Sequence, residues 1–219
     1  MKLFFLIAIS LMWFGATVAF AENKPLKYTI GAGVSDLNYS NDQQSSYSGS
    51  TGDITTHYTS LGINAFFDIT QYFTFSLGYQ YGNGNATESF SYTIFNSSQS
   101  AINDLQNLEI AAEFKYPFKI NKMFSFAPKL GILYEQYIGG TLGGNLPSTS
   151  DAKQQVSPVF ITVGTDLDFI TIPQIVVRVP LDLGIGLNAK LSDSYYSPGT
   201  YSSSSVIAFR GGLEVGYVF

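Results

Sequence analysis

The residues best suited to chemistry in this 219-residue sequence are one histidine and a set of charged side chains at alternating positions. His57 is the single histidine and stands close to the hydroxyl groups of Thr55, Thr56, Thr59 and Ser60. A histidine that reaches a hydroxyl can act as the general base of a hydrolase, with a carboxylate to orient the imidazole. By alternation His57 shares a face with Leu61, which favours an imidazole at an interface over one held by a carboxylate. We therefore predict no catalytic site.

The charged set offers ion pairing. Opposite charges at alternate positions of neighbouring strands would face one another, and buried charges are tolerated when they are paired. The alternative role is a permeation path in which the same charges select small solutes. With one His and no Cys, a metal or cofactor site is not predicted. The predicted network consists of Glu109, Glu113, Lys129, Asp166, Arg178, Asp182, Lys190, Arg210 and Glu214.

The elements that would position these charges are short segments in which apolar and polar residues alternate. A period of two predicts β-strands. The connections between the segments alternate in length, with long polar ones around 39–56, 83–106, 136–158 and 191–205. The predicted strands are 27–35, 57–67, 72–82, 107–116, 124–135, 159–169, 175–190 and 206–219.

Composition places these strands in a membrane. Only 12% of the residues are charged, compared with about a quarter in an ordinary globular chain. Beyond the N-terminus there is no run of about 20 apolar residues, so a bundle of transmembrane helices is excluded. A net charge of −5 gives no basic surface for nucleic acid. The fold predicted is all-β: an eight-stranded antiparallel up-and-down transmembrane β-barrel.

A soluble ligand-binding barrel shows the same alternation, but its apolar residues face the ligand cavity and its charged residues face water. Two features favour the membrane barrel. Glycine is frequent on the charged face, where it would make room for long side chains in a narrow lumen. Aromatic residues gather near both ends of the strands, as in the girdles of membrane barrels. Pro128 and Pro180 fall inside strands, where we expect β-bulges.

Export is predicted from the N-terminus. Lys2, an apolar stretch and the Ala19-Phe20-Ala21 end have the pattern of a signal peptide over residues 1–21. The barrel domain would then be 22–219. The absence of Cys argues against a lipoprotein and against a disulfide scaffold.

The C-terminal strand carries apolar or aromatic residues at every second position up to a final phenylalanine: Leu213, Val215, Tyr217 and Phe219. This pattern resembles the signal by which the barrel-assembly machinery recognises outer-membrane proteins. The whole exported chain resembles small outer-membrane barrels of the OmpA transmembrane domain, OmpX/Ail and OmpW type. The resemblance implies a monomer in outer-membrane lipid. Because the last predicted strand ends the sequence, we expect no periplasmic domain of the kind found in full-length OmpA.

The long connections are rich in Ser, Thr, Asn, Gly and Tyr. Tyrosine supplies contact area in protein-binding surfaces, and small polar residues supply adaptable hydrogen bonds. The sequence therefore predicts an envelope-structural or surface interaction role with an extracellular protein ligand. A narrow OmpW-like channel is the alternative; a lipid A-modifying enzyme is less favoured, because Thr59 stands where a deacylase has Ser. The predicted contact residues are Tyr39, Tyr47, Phe90, Tyr92, Tyr195, Tyr196 and Tyr201.

Overall fold

The computed structural model describes residues 28–47, 50–90, 99–142, 157–172, 174–187 and 200–219. The predicted signal peptide, residues 1–21, lies outside the described residues. No helix long and apolar enough to cross a bilayer occurs in these ranges. The strands are β1 (Tyr28–Tyr47), β2 (Ser50–Ile69), β3 (Phe73–Phe90), β4 (Gln99–Lys115), β5 (Phe118–Lys119), β6 (Phe124–Leu142), β7 (Val159–Ile172), β8 (Ile175–Gly186) and β9 (Thr200–Val218).

The sheet closes into a barrel. Every pairing between neighbouring strands is antiparallel; β9 pairs with β1, and β4 pairs with β6. β5 is a two-residue strand that pairs with Ser125 and Phe126 at the start of β6, and it is not part of the barrel wall. The wall therefore has eight strands, which confirms the predicted eight-stranded antiparallel barrel.

Several strands are longer than the sequence predicts. Residues 39–56 are expected to form a loop, but β1 and β2 stay paired from Tyr39 opposite Tyr58 to Tyr47 opposite Ser50. The strands β3 and β4 likewise extend into the expected loop 83–106. Threonine and tyrosine favour extended backbone, and a strand needs no apolar face where both sides meet water. The prediction of loops at these polar connections is therefore wrong over much of their length.

The short connections all lie at the end of the barrel opposite the long polar connections. They span residues 70–72, 116–123 and 173–174. The first contains Thr70 in the left-handed region, with φ of 67°. Short turns face the periplasm in outer-membrane barrels, and longer connections face outward. The two ends of the barrel therefore have distinct environments.

The expected bulges at the two prolines are wrong. Pro128 lies opposite Thr165 and Pro180 opposite Asp166, both in continuous register. The carbonyl of Pro128 accepts a hydrogen bond from Tyr116 at 3.0 Å, just where β4 has ended. Its missing N–H therefore falls outside the ladder. Beside Pro180 the pairing of β8 with β9 lapses between Arg178 and Leu181, which removes the need for that N–H.

Candidate functional site: the charged lumen

The charged side chains face the lumen because the pleat of each strand turns alternate residues inward. On β4, Glu109 is fully buried and Glu113 is 3% exposed. The inward residues of β7, β8 and β9 include Asp166, Arg178 and Arg210, each at most 3% exposed. Alternation in the sequence thus places the charges correctly, although it says nothing about which ones meet.

Asp166 is the hub of the charges. Its carboxylate lies 3.2 Å from Lys115 Nζ, 2.9 Å from Lys129 Nζ and 3.3 Å from Arg178 Nε. The same Lys129 also contacts Glu113 at 3.2 Å. One buried acid therefore holds cations from three strands, β4, β6 and β8.

A second set of contacts spans the barrel. Asp182 Oδ1 lies 3.0 Å from Lys129, and its Oδ2 lies 3.1 Å from Arg210. Arg210 also reaches Glu109 at 2.9 Å. β9 and β4 stand on opposite sides of the eight-stranded wall. The Arg210–Glu109 ion pair therefore crosses the full width of the lumen.

At the short-turn end of the lumen, Lys115 and Arg178 pair with Asp68, an acid that the sequence analysis missed. Arg178 Nη2 lies 2.7 Å from Asp68 Oδ2 and its Nη1 lies 3.3 Å from Oδ1. Lys115 contacts the same carboxylate at 3.1 Å. The predicted second strand ends at residue 67, which leaves Asp68 in the turn. It shares the parity of Asn64 and Phe66, so extending the predicted strand by one residue would have found it.

Glycine makes room for these side chains, as expected. A Cβ on Gly164 would collide with the carboxylate of Asp182, and one on Gly131 would lie 2.7 Å from Glu113 Cγ. Both clashes involve residues of the network, so the charged and glycine positions depend on one another. We call the ion-paired set the charged network: Asp68, Glu109, Glu113, Lys115, Lys129, Asp166, Asp168, Arg178, Asp182, Arg210 and Glu214.

Glu135 lies beside this network without an ion pair among the described residues. It stands opposite Glu109 in the β4–β6 register and is fully buried. Asn107 Nδ2 donates to Glu135 Oε2 at 2.8 Å. Glu135 Oε1 and Asn107 Oδ1 have no hydrogen-bond partner within the described part of the chain.

Toward the long-loop end the lumen is filled by apolar side chains, which the sequence analysis did not predict. They share the inward parity of the charges, and Leu105 and Phe160 are fully buried. Parity within the predicted strands already turns six of them inward, whereas Leu37 and Leu105 lie just outside the predicted strands 27–35 and 107–116. The apolar cluster consists of Leu37, Tyr58, Leu105, Ala111, Leu133, Phe160, Val206 and Ala208.

Acids outnumber bases inside the barrel. Among the described residues the lumen contains four cationic side chains, at 115, 129, 178 and 210, and eight acids, Glu135 and the seven acids of the charged network. The network predicted from the sequence has four bases and five acids, but one of those bases, Lys190, lies outside the described residues. The pairing fits a structural role, because each cation is shared by two or more carboxylates.

The outer face is apolar around the barrel. Leu61 is 68% exposed and Ile63 is 65% exposed, and similar residues occupy the outward positions of the other strands. A closed barrel with an apolar exterior and a charged interior is suited to a lipid bilayer, because its apolar side chains face the lipid. The protein is an outer-membrane β-barrel.

Its aromatic girdle differs from expectation at Tyr72 and Phe73, which are 3% and 2% exposed. Tyr72 packs on Phe114 and Tyr116, with ring centroids 6.5 and 5.8 Å away.

Comparisons with known proteins concern this barrel as a whole. No family model matches the chain, and a search of curated proteins gives no match. Among solved structures, OprG of Pseudomonas aeruginosa is 12% identical, with a TM-score of 0.49, over 90% of this chain and 97% of that one. Ail of Yersinia pestis is 12% identical, with a TM-score of 0.39, over 90% and 100%. The protease OmpT of Escherichia coli is 10% identical, with a TM-score of 0.42, over 90% and 99%. None of these similarities assigns an activity.

The remaining predicted residues divide into three groups. The C-terminal residues Leu213, Val215, Tyr217 and Phe219 all point outward on or just after β9, and recognition by the assembly machinery stays a prediction. His57 is exposed on the outer side of β2, while its neighbour Tyr58 is buried in the lumen. Lys190, Tyr92, Tyr195 and Tyr196 lie outside the described residues, and Tyr39, Tyr47, Phe90 and Tyr201 are described by backbone alone.

Proposed function

We propose that this barrel is a surface interaction protein in which a closed, monomeric barrel carries a tall sheet and polar loops outside the cell. The supporting observation is the length of the wall. A strand crosses the membrane in about 9–11 residues, whereas β1 has 20. On its outer side the apolar positions end at Val34, and Asn38 Nδ2 donates to Asp36 Oδ2 at 3.1 Å just above. The rest of β1 extends beyond the lipid.

The wall is uneven in height. β1, β2, β3, β4, β6 and β9 have 17 to 20 residues, whereas β7 has 14 and β8 has 12. Among the described residues, the upper parts of β6 and β9 extend past the ends of β7 and β8. Such sheet edges accept an added strand from a partner, with main-chain hydrogen bonds for affinity. We propose an extracellular protein as the partner. The proposed contacts are Tyr39, Tyr47, Phe90 and Tyr201 on the extended part of the wall, together with the sequence-predicted residues Tyr92, Tyr195 and Tyr196.

The experiment that tests this role shortens the wall without disturbing the barrel. Residues 42–55 are replaced by Asn-Gly between Asn41 and Thr56, which face each other in the register. Asn-Gly favours the tight hairpin turn that suits such a junction. Heat-modifiable migration checks that the barrel still folds.

Intact cells with either form are then used to recover extracellular or envelope proteins. We expect a partner that binds the full-length wall and is lost with the shortened one. Equal recovery from both forms would contradict the proposal. Reproducible single-channel steps from the pure protein in a planar bilayer would favour the narrow channel instead. The ion pair that crosses the lumen argues against this outcome.

The enzyme alternative is tested at His57. His57 is exposed on the outer side of β2, and we expect a His57→Ala variant to leave lipid A unchanged. Mass spectrometry of lipid A from cells with and without the variant measures this. A lipid A species that disappears with the variant would restore the lipid-modifying enzyme.

A further inference from the structure

The turn between β4 and β6 has an unusual surface. Phe118 is 50% exposed, Ile120 63% and Met123 65%. Lys119 and Lys122 are exposed between them. The segment 116–124 contains no acid. It therefore combines apolar side chains with positive charge at the short-turn end of the barrel.

These two lysines stand out against the rest of the chain. The other bases within the described residues, Lys115, Lys129, Arg178 and Arg210, are buried in the charged network. Lys119 and Lys122 thus supply the exposed positive charge of the described surface. Neither has an ion-pair partner in that part of the chain.

The turn is held in place by hydrogen bonds. Asn121 Oδ1 accepts from the backbone N–H of Met123 at 2.8 Å and of Phe124 at 2.9 Å. Ile170 donates its N–H to the Met123 carbonyl at 2.8 Å, which ties the turn to β7. The lysines are therefore presented from a fixed backbone.

The other two short turns lack this chemistry. In the turn at 70–72, Thr70 and Tyr72 are buried. In the turn before β8, Gln174 is exposed and uncharged. All three turns lie at the same end of the barrel, so a positive charge on one of them is a local property of that turn.

We propose that the 116–123 turn is an interfacial anchor that binds anionic phospholipid headgroups of the periplasmic leaflet. Phe118, Ile120 and Met123 continue the lipid-facing surface of the wall into the interface. Lys119 and Lys122 meet the phosphates there. Amphipathic surfaces bind membranes by this combination of apolar insertion and attraction to anionic lipid. The partner is thus identified by continuity with the membrane belt and by charge.

The test uses tryptophan as a depth and lipid probe. Trp13 is the single tryptophan of the sequence and lies in the predicted signal peptide. A mature chain carrying Met123→Trp would then have one reporter, and Gln174→Trp would place a matched reporter at a short turn without lysine. Each is reconstituted with phosphatidylcholine and phosphatidylglycerol, one of them brominated in turn, and quenching gives the relative binding of the two lipids.

In the Met123→Trp chain we expect phosphatidylglycerol to be preferred at least about fivefold, since one lysine near an anionic surface has this effect and the turn has two. High salt should weaken the preference. In the Gln174→Trp chain the ratio should be near one. Adding K119Q and K122Q to the Met123→Trp chain should abolish the preference, whereas K119R and K122R should keep it.

Equal quenching of the Met123→Trp reporter by both lipids would overturn the proposal. So would emission typical of water with no quenching, which would place the turn in the periplasm. A blue shift that grows with protein concentration and not with brominated lipid would indicate a second copy on this surface and would also overturn it. Folding of every variant is checked by heat-modifiable migration.

Discussion

The charged network and the apolar cluster close the same lumen by different means. In the network, Asp166 pairs with Lys115, Lys129 and Arg178 at once, so changing this one group removes an ion pair from three buried cations. In the cluster, Phe160 and Leu105 fill space, and other apolar side chains of similar size would serve. One half of the lumen therefore depends on the identity of its residues, and the other mainly on their volume.

The strongest test of this difference is Asp166→Asn, which keeps the shape of the side chain. We expect a loss of about 5 kcal/mol in the free energy of unfolding, the upper range for breaking a buried ion pair. Urea unfolding in lipid vesicles, followed by heat-modifiable migration, measures the loss. The control is Asp168→Asn, because Asp168 has one ion pair, with Arg178 at 2.8 Å, among the described residues and its side chain is 14% exposed. Similar losses in the two variants would mean that the hub position carries no special weight.

In the apolar cluster, Phe160→Ala should cost about 3 kcal/mol, since it removes a buried ring and leaves a cavity. Phe160→Leu should cost about 1 kcal/mol because it keeps most of the volume. The same unfolding assay compares both with Asp166→Asn. If the leucine variant were as unstable as the asparagine one, the cluster would be as demanding of residue identity as the network.

The smallest effect is expected between the two regions, at Glu135→Gln. A glutamine would keep the hydrogen bond from Asn107, offer a donor to Asn107 Oδ1 and remove the like charge opposite Glu109. We expect a gain of up to about 1 kcal/mol. Glu113→Gln is the matched control, and it should destabilise the barrel because Glu113 pairs with Lys129 at 3.2 Å. A loss at Glu135 equal to that at Glu113 would indicate that Glu135 is paired.

Much of this arrangement could be predicted from the sequence, because alternation decides which side of the wall a residue faces. It assigns Glu109 and Arg210 to the lumen correctly. It could not pair them, since which residues meet across a barrel depends on the stagger of its strands, which the period of two does not encode. The predicted strand ends are wrong for a similar reason: β1 continues past Val34 on polar residues that the apolar pattern does not mark.

The Arg210–Glu109 pair has a consequence for the order of assembly. Because it joins β9 to β4 across the lumen, we expect it to form after the last strand has met the first and the wall has closed. Interactions that are absent from the folding transition state stabilise a protein chiefly by slowing its unfolding. Ion pairs across the lumen that form after closure should therefore make the complete barrel slow to unfold.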